Sequence, residues 1–320
     1  MSYKDKRILV TGGSGFVGKH LLRELMTQSP AALMVTKLPA EHLTDAELCG
    51  AQAVDLDILS EQETRKCIQD FMPDFLFHLA AQSSVGLSFQ KPELTMQINV
   101  LGFLHVLEAL REYNPSCRLL LIGSSEQYGI IPSSRMPINE DIPVSPVSPY
   151  AVSKMAAEAL AHTYQKSYTL QPVMVRAFNH IGPGQAAGFV VSDFARQIAL
   201  IESGKQEPVM RVGNLSAERD FTDVRDIVRA YRILMLQGRI GEAYNIGSGK
   251  SYPIQYILDT LLSFSKKPVR VEMDPDRMRP AEVPYIRADT AKIYQDTGWK
   301  PEISVETSLQ DALSYWRLNV

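Results

Sequence analysis

Residues 8–25 read "ILVTGGSGFVGKHLLREL", a strand, a glycine-rich turn and a helix, with Gly12, Gly15 and Gly18 three apart. Glycines there let the backbone turn tightly and approach a pyrophosphate, whose charge then rests on the amides that open the helix, those of Phe16, Val17 and Gly18. The spacing departs from the common GxGxxG fingerprint, and a tight turn alone could use the same glycines. Both flanking elements, however, are of the type a dinucleotide site requires.

Outward from that stretch, short aliphatic or β-branched runs alternate with helix-like segments. "RILVTG", "ALMVT", "FLFHLA", "RLLLIGSS" and "PVMVRAFN" read as strands. Helices are expected from about Gly15, over 60–71, from Glu93 to Glu112 and over 150–168. This alternation predicts an α/β fold with a doubly wound parallel sheet, whose ligands bind at the carboxyl ends of the strands. After residue 180 the pattern changes. "HIGPGQAAG" reads as loop, "SDFARQIALIESG" as a helix, and the last 70 residues mix short strands, helices and prolines. A smaller α/β domain closing over the sheet is expected, with 1–178 and 220–250 as the dinucleotide-binding domain and 179–219 and 251–320 as the substrate domain.

At 320 residues, 45% hydrophobic and 22% charged, the chain can bury a full core. A net charge of −3 with dispersed Lys and Arg gives no nucleic-acid footprint, so a bound anion must be met by a few placed cations. The charged start "MSYKDKRILVTGG" and the lack of an 18-residue apolar run predict a cytoplasmic, non-membrane protein. Cys49, Cys67 and Cys117 are odd in number and widely spaced, which predicts reduced structural thiols and no metal site.

The second strand ends in "VTKLP", with Lys37 where an acid would hold the 2′-hydroxyl of NAD. A cation there suits the 2′-phosphate of NADP, and a solvated loop lysine fits the position equally. "VDLDIL" offers Asp57 and the Ile58 amide to an adenine. "HLAAQSS" sets Leu79, Ala80 and Ala81 where a dinucleotide could lie flat across a strand end. Further on, "IGSSEQYG" brings Ser124, Ser125 and Glu126 to the end of an apolar run, and "SPYAVSK" sets Tyr150 and Lys154 four apart on one helical face. A lysine cation beside a phenol favours the phenolate and draws its pKa from about 10 toward working pH, so the tyrosine can exchange a proton as hydride moves.

At these residues the chain resembles the extended short-chain dehydrogenases/reductases of the nucleotide-sugar-modifying branch, nearly end to end. The glycine triplet, Asp57, "HLAA", Asn99 in "INVLG", Ser124, Tyr150 with Lys154, and Asn179 in "RAFNHIGPG" carry the likeness. It implies Tyr150 as acid/base, Ser124 as hydroxyl partner of the reacting oxygen, and Lys154 as tuner of Tyr150 and ligand of the nicotinamide ribose. Asn99 would be a supporting polar residue of the cofactor site, and a homodimer is implied. "GNLSAERDF" and "RPAEV" are similar to segments of GDP-mannose-processing members, which implies Arg219 and Arg279 on the diphosphate and Glu282 near the ribose. Ser125, Asn179 and Asn214 join them as substrate-binding residues of a GDP-linked deoxyhexose. Surface salt bridges remain the bland reading of either arginine.

Two reactions stay open. The "FNHIGPGQ" loop is similar to the GDP-6-deoxy-4-keto-mannose reductases that form GDP-rhamnose, the first expectation. Ser124, Ser125 and Glu126 nearly match the Thr, Ser, Glu of GDP-mannose 4,6-dehydratases, whose glutamate moves the C5 proton; that reaction is the alternative. A non-catalytic dinucleotide sensor is the minor one.

Overall fold

The computed structural model describes residues 2–275 and 285–320. The first part of the chain runs β1 (Arg7–Thr11), α1 (Phe16–Met26), β2 (Ala32–Lys37), α2 (Asp45–Leu48), β3 (Gln52–Asp55), α3 (Glu61–Phe71), β4 (Phe75–His78), α4 (Val85–Gln90), α5 (Pro92–Met96), a π turn (Gln97–Gly102), α6 (Phe103–Tyr113) and β5 (Arg118–Ile122). A 3₁₀ turn (Ser125–Tyr128) then leads to α7 (Pro149–Tyr168), β6 (Gln171–Ala177), β7 (Asn179–Ile181), α8 (Val190–Glu202), β8 (Val209–Val212), β9 (Glu218–Arg219) and β10 (Phe221–Asp223). The last part holds α9 (Val224–Gln237), β11 (Ala243–Ile246), β12 (Tyr252–Pro253), α10 (Ile254–Ser263), β13 (Arg270–Met273), α11 (Ala291–Thr297) and α12 (Val305–Asn319).

Seven strands form one parallel sheet in the order β11-β6-β5-β4-β1-β2-β3. Period-two alternation decides which side chains go to which face. Ile8, Val10, Phe75, Phe77 and Leu120 point toward α1 and α9, packing with Leu21, Leu22, Leu25, Ile227 and Leu234. Leu9, Leu76, Leu119 and Leu121 point the other way, against Phe103, Val106, Leu110, Ala157 and Ala161 of α6 and α7. Both faces are therefore apolar and covered, as an all-parallel sheet requires. Each fully buried aliphatic side chain contributes roughly 1.5–3 kcal/mol.

The chain moves outward from β1 through β2 and β3, then crosses back to β4 on the other side of β1. This reversal opens a crevice at the carboxyl ends of β1 and β4, next to the glycine turn. A third core gathers Ile181, Val191, Phe194, Ile198, Met210, Val212, Ile257, Leu258, Leu261, Leu309 and Leu313 beyond that edge. After β10 the chain re-enters the large sheet through α9 and β11, so the two parts interleave.

Two expectations change. The single helix from Glu93 to Glu112 is α5 and α6 joined by the π turn. There Gly102 lies so near Ile58 that a Cβ would meet its side chain at 2.8 Å, and Asn99 turns inward to bond. The "HIGPGQAAG" segment, read as loop, opens with the end of β7, which pairs in parallel with β10.

Asp220, between β9 and β10, clasps the edge of the sheet to this smaller part. Its fully buried carboxylate accepts from the Ser248 amide at 2.6 Å, the Ser248 hydroxyl at 2.7 Å, and the Gly249 and Ala288 amides at 3.0 Å each. Leaving a buried donor unsatisfied costs about 1–3 kcal/mol. Asp220→Ala is therefore expected to lower unfolding stability by about 3 kcal/mol in a urea titration; a loss below about 1 kcal/mol would show the clasp to be dispensable.

Candidate active site

The glycine turn is built for close approach. Gly12 has φ +68°, and a Cβ on it would stand 2.6 Å from the Ala80 Cα; a Cβ on Gly18 would meet the Gly13 carbonyl at 2.3 Å. The end of β4 thus lies directly against the turn, with Leu79, Ala80 and Ala81 half-buried beside it, as expected of small residues under a flat ligand. Gly15 is the N-cap of α1 and supplies no side-chain cap, so the first amides, from Phe16 onward, keep their anion-binding capacity. These features fit a dinucleotide pyrophosphate. Gly13 escaped the sequence reading, although a Cβ there would strike the Val35 side chain.

The adenosine end differs from expectation. Lys37 is ion-paired with Asp55 of β3, so its charge is already shared. A carboxylate also stands close by: Glu41 accepts from the Ser14 hydroxyl at 2.6 Å and the Leu38 amide at 2.9 Å. Neither Asp55 nor Glu41 was singled out, because both lie off the strand end where an acid is sought. Asp57 is exposed and accepts from the Leu59 amide at 2.9 Å, next to buried Ile58.

Asn99 is expected in the cofactor site, yet its amide is spent on protein. It accepts from the Gln82 amide at 2.8 Å and donates to the Gln82 carbonyl at 3.0 Å and the Ser153 hydroxyl at 2.8 Å. It holds the loop after β4 to α7, a supporting role.

Ser124, Glu126, Tyr150 and Lys154 come together at the carboxyl end of β5. Ser148 caps α7 by accepting from the Ala151 amide at 3.1 Å, and Pro149 fits the first turn, where its missing N–H costs nothing. Tyr150 and Lys154 then share one face and are both buried. Lys154 donates to the Ile122 carbonyl at 2.8 Å, tying α7 to the strand end, and the Ser124 side chain lies near enough to the Tyr150 phenol to lower its pKa. Ser124 also accepts from the Glu126 amide at 3.2 Å. Ser125 is buried, and Glu126 is half-buried close enough to act on Tyr150 electrostatically.

One expectation is corrected here. Burial pushes the Tyr150 phenol up to about 12, with Ser124 pulling it down and the Glu126 charge adding to the rise. Lys154 does not draw it toward neutral pH: its ammonium is 5.9 Å from the ring centre, and burial brings the lysine itself down to about 8. The phenol is held as an acid. Beneath it, His78 faces the Thr11 hydroxyl at 2.9 Å, with burial and then the Lys154 charge holding it at about 3, hence neutral.

The other residues expected to bind substrate lie after β6. Asn179 is exposed at the start of β7, and the turn after it is held to α1 by the His20 ring, 2.8 Å from the Pro183 carbonyl, and by Phe16 stacked on His180. Asn214 accepts from the Ser216 amide at 2.9 Å and hydroxyl at 2.8 Å, and Arg219 of β9 donates to the Glu218 carbonyl at 2.8 Å. Arg279 and Glu282 lie outside the described residues.

Similarity to known proteins identifies the family. The family model described as GDP-mannose 4,6 dehydratase matches residues 9–312. The chain is 38% identical to the GDP-6-deoxy-D-mannose reductase of Pseudomonas aeruginosa, covering 98% of each. It is 31% identical to the GDP-mannose 4,6-dehydratase of Vibrio cholerae, covering 94% of this chain and 91% of that one. The structure of RMD from Pseudomonas aeruginosa complexed with NADPH superposes with a TM-score of 0.85 at 36% identity, covering 98% of this chain and all of the other. Matched by one family model over nearly its whole length, with the glycine turn and the Ser, Tyr and Lys of the site in place, this chain belongs to the GDP-mannose 4,6-dehydratase family of extended short-chain dehydrogenases/reductases.

Proposed function

We propose that the chain is an NAD(P)H-dependent reductase that converts the C4 keto group of GDP-6-deoxy-4-keto-mannose to the alcohol, giving GDP-rhamnose. The observation that carries this reading is the 38% identity, over 98% of both chains, to a protein named a GDP-6-deoxy-D-mannose reductase, with Ser124, Tyr150 and Lys154 buried together at the carboxyl end of β5. Reduction of a ketone needs an acid at the oxygen, a part the Tyr150 phenol can play.

The bound cofactor supplies hydride. Ser124 donates to the sugar O4 and orients it, and Tyr150 delivers the proton as the C4–hydride bond forms and the C=O double bond becomes single. Solvent then restores the phenol. Lys154, fixed by the Ile122 carbonyl, is the ligand for the nicotinamide ribose, and the amides of Phe16, Val17 and Gly18 hold the pyrophosphate. Ser125, Asn179, Asn214 and Arg219, with Arg279 and Glu282, grip the GDP sugar. Residues 1–178 and 220–250 serve the dinucleotide, and 179–219 with 251–320 serve the sugar nucleotide; a third core separate from the two that sandwich the sheet supports that division. A cytoplasmic homodimer completes the reading, supported by the apolar side chains Leu101, on the π turn, and Val152, on α7, which face solvent.

Dehydration of GDP-mannose through Glu126 is the second reading, favoured by that carboxylate's place beside Tyr150 and Ser124.

Tyr150→Phe removes the proton donor alone. Turnover is expected to fall about 10²- to 10⁴-fold with GDP-sugar affinity retained; a variant keeping a tenth of wild-type activity would remove Tyr150 from the mechanism.

Glu126→Gln separates the two reactions, because an amide cannot take the C5 proton. Reduction of the keto sugar should stay within about tenfold of wild type, and any GDP-mannose dehydration should vanish. Rapid dehydration by the wild type with no reduction of the keto sugar would install the dehydratase reading instead.

Lys37→Ala tests cofactor choice. A lysine that meets a 2′-phosphate despite its pairing with Asp55 makes NADPH binding weaken more than NADH binding in a fluorescence titration. Equal losses would make Lys37 a loop residue.

A further inference from the structure

Beneath the 124–128 turn lies a buried polar chain that the proposed chemistry does not use. Gln127 folds back so that its side-chain oxygen accepts from the Ser124 amide at 2.9 Å, and its amide nitrogen donates to Glu158 at 2.8 Å. The fold-back needs a glycine at 123, where a Cβ would stand 2.5 Å from that Gln127 oxygen. Glu158 accepts two bonds from Arg176 of β6, at 2.6 and 3.1 Å. Arg176 also donates to the Tyr128 hydroxyl at 2.9 Å and the Glu140 carbonyl at 3.2 Å, and Tyr128 donates to Asn245 of β11 at 2.7 Å. Gln127, Tyr128 and Asn245 are fully buried, and Glu158 and Arg176 are 6% and 8% exposed.

Placement gives this chain its meaning. Tyr150, Lys154 and Glu158 follow one another at four-residue steps along one face of α7, and all three are buried. The first two face the reacting end; the third, through Gln127, grips the backbone of Ser124. The proton donor and its hydroxyl partner are thus built on different elements, joined through Gln127 and Glu158. A charge pair buried this deeply is weak evidence for stability, since apolar replacements often serve as well, so its worth lies elsewhere.

We propose that Gln127 and the Glu158–Arg176 pair are positioning residues that set Ser124 and Glu126 relative to Tyr150, and so set the rate of the proton-coupled hydride step. This rests on the reading of Tyr150 and Ser124 given above. Neither Gln127 nor Glu158 touches substrate: they act through the turn. A misplacement of about 1 Å at a reacting group can cost about 10²-fold in rate.

The test uses E158Q, Q127E and the double variant Q127E/E158Q, which exchanges amide and carboxylate while keeping one negative charge in the buried chain. Assayed well below their melting temperatures, each single variant should lose about 10²-fold in kcat, with KM for the GDP sugar and the Kd for NADPH within about threefold of wild type. The double variant should recover at least a tenth of wild-type kcat. Independently of turnover, the ¹³Cζ resonance of Tyr150 in tyrosine-labelled protein, assigned with Tyr150→Phe, should move in the single variants and return in the double, because Ser124 and Glu126, which act on the phenol, shift with the turn. Single variants with lowered melting temperature but wild-type kcat and an unmoved Tyr150 resonance would overturn the proposal. A wild type inactive on both GDP sugars would instead defeat the functional reading, and the resonance would still decide the positioning role.

Discussion

A parallel sheet has one chemically rich edge, because every strand delivers its carboxyl end to the same side. All seven strands of the large sheet obey this, and the rest of the molecule follows from it. The apolar side chains must be covered on both faces, which commits α1 and α9 to one layer and α3, α6 and α7 to the other. The loops that remain can carry polar groups only at the strand ends. Reversal of strand order at β1 and β4 then opens the crevice, and the glycine turn, the 79–82 loop, the 124–128 turn and the start of α7 all meet there.

Much of this was legible in the sequence, for identifiable reasons. Strand faces announce themselves by alternation, and the turn at Gly12 announces itself because no other residue type tolerates both the positive φ and the approach of Ala80. Tyr150 and Lys154 were readable because helical spacing is fixed. What was not legible depended on partners distant in the chain. The partner of Lys37, Asp55, is brought beside it by β3, and the partners of Asn99, Gln82 and Ser153, come from the loop after β4 and from α7. The π turn at 97–102 reads as ordinary helix because what it packs against, Ile58 beside Gly102, lies far away in the chain. Glu158 and Arg176 carry no local signal, each being one charged residue in an otherwise regular helix or strand.

The same distinction separates the chemistry of the site from its precision. Residues proposed to react sit at fixed helical spacing, whereas those proposed to hold them are joined by hydrogen bonds through the core. Tyr150 also shows how far environment can move a group from what its neighbours suggest: a lysine one helical turn away is outweighed by the removal of water.

The interleaving of the chain has a consequence for how such a protein can change. Because β7 and β10 lie side by side while α9 and β11 belong to the large sheet, the smaller layer is assembled from separate passages of the chain and has no single pair of boundaries. It cannot be cut out, exchanged or duplicated as one cassette. Any change in that layer must therefore arise by piecemeal substitution within several short segments, each answerable to the sheet it returns to, and a laboratory graft would have to move those segments together.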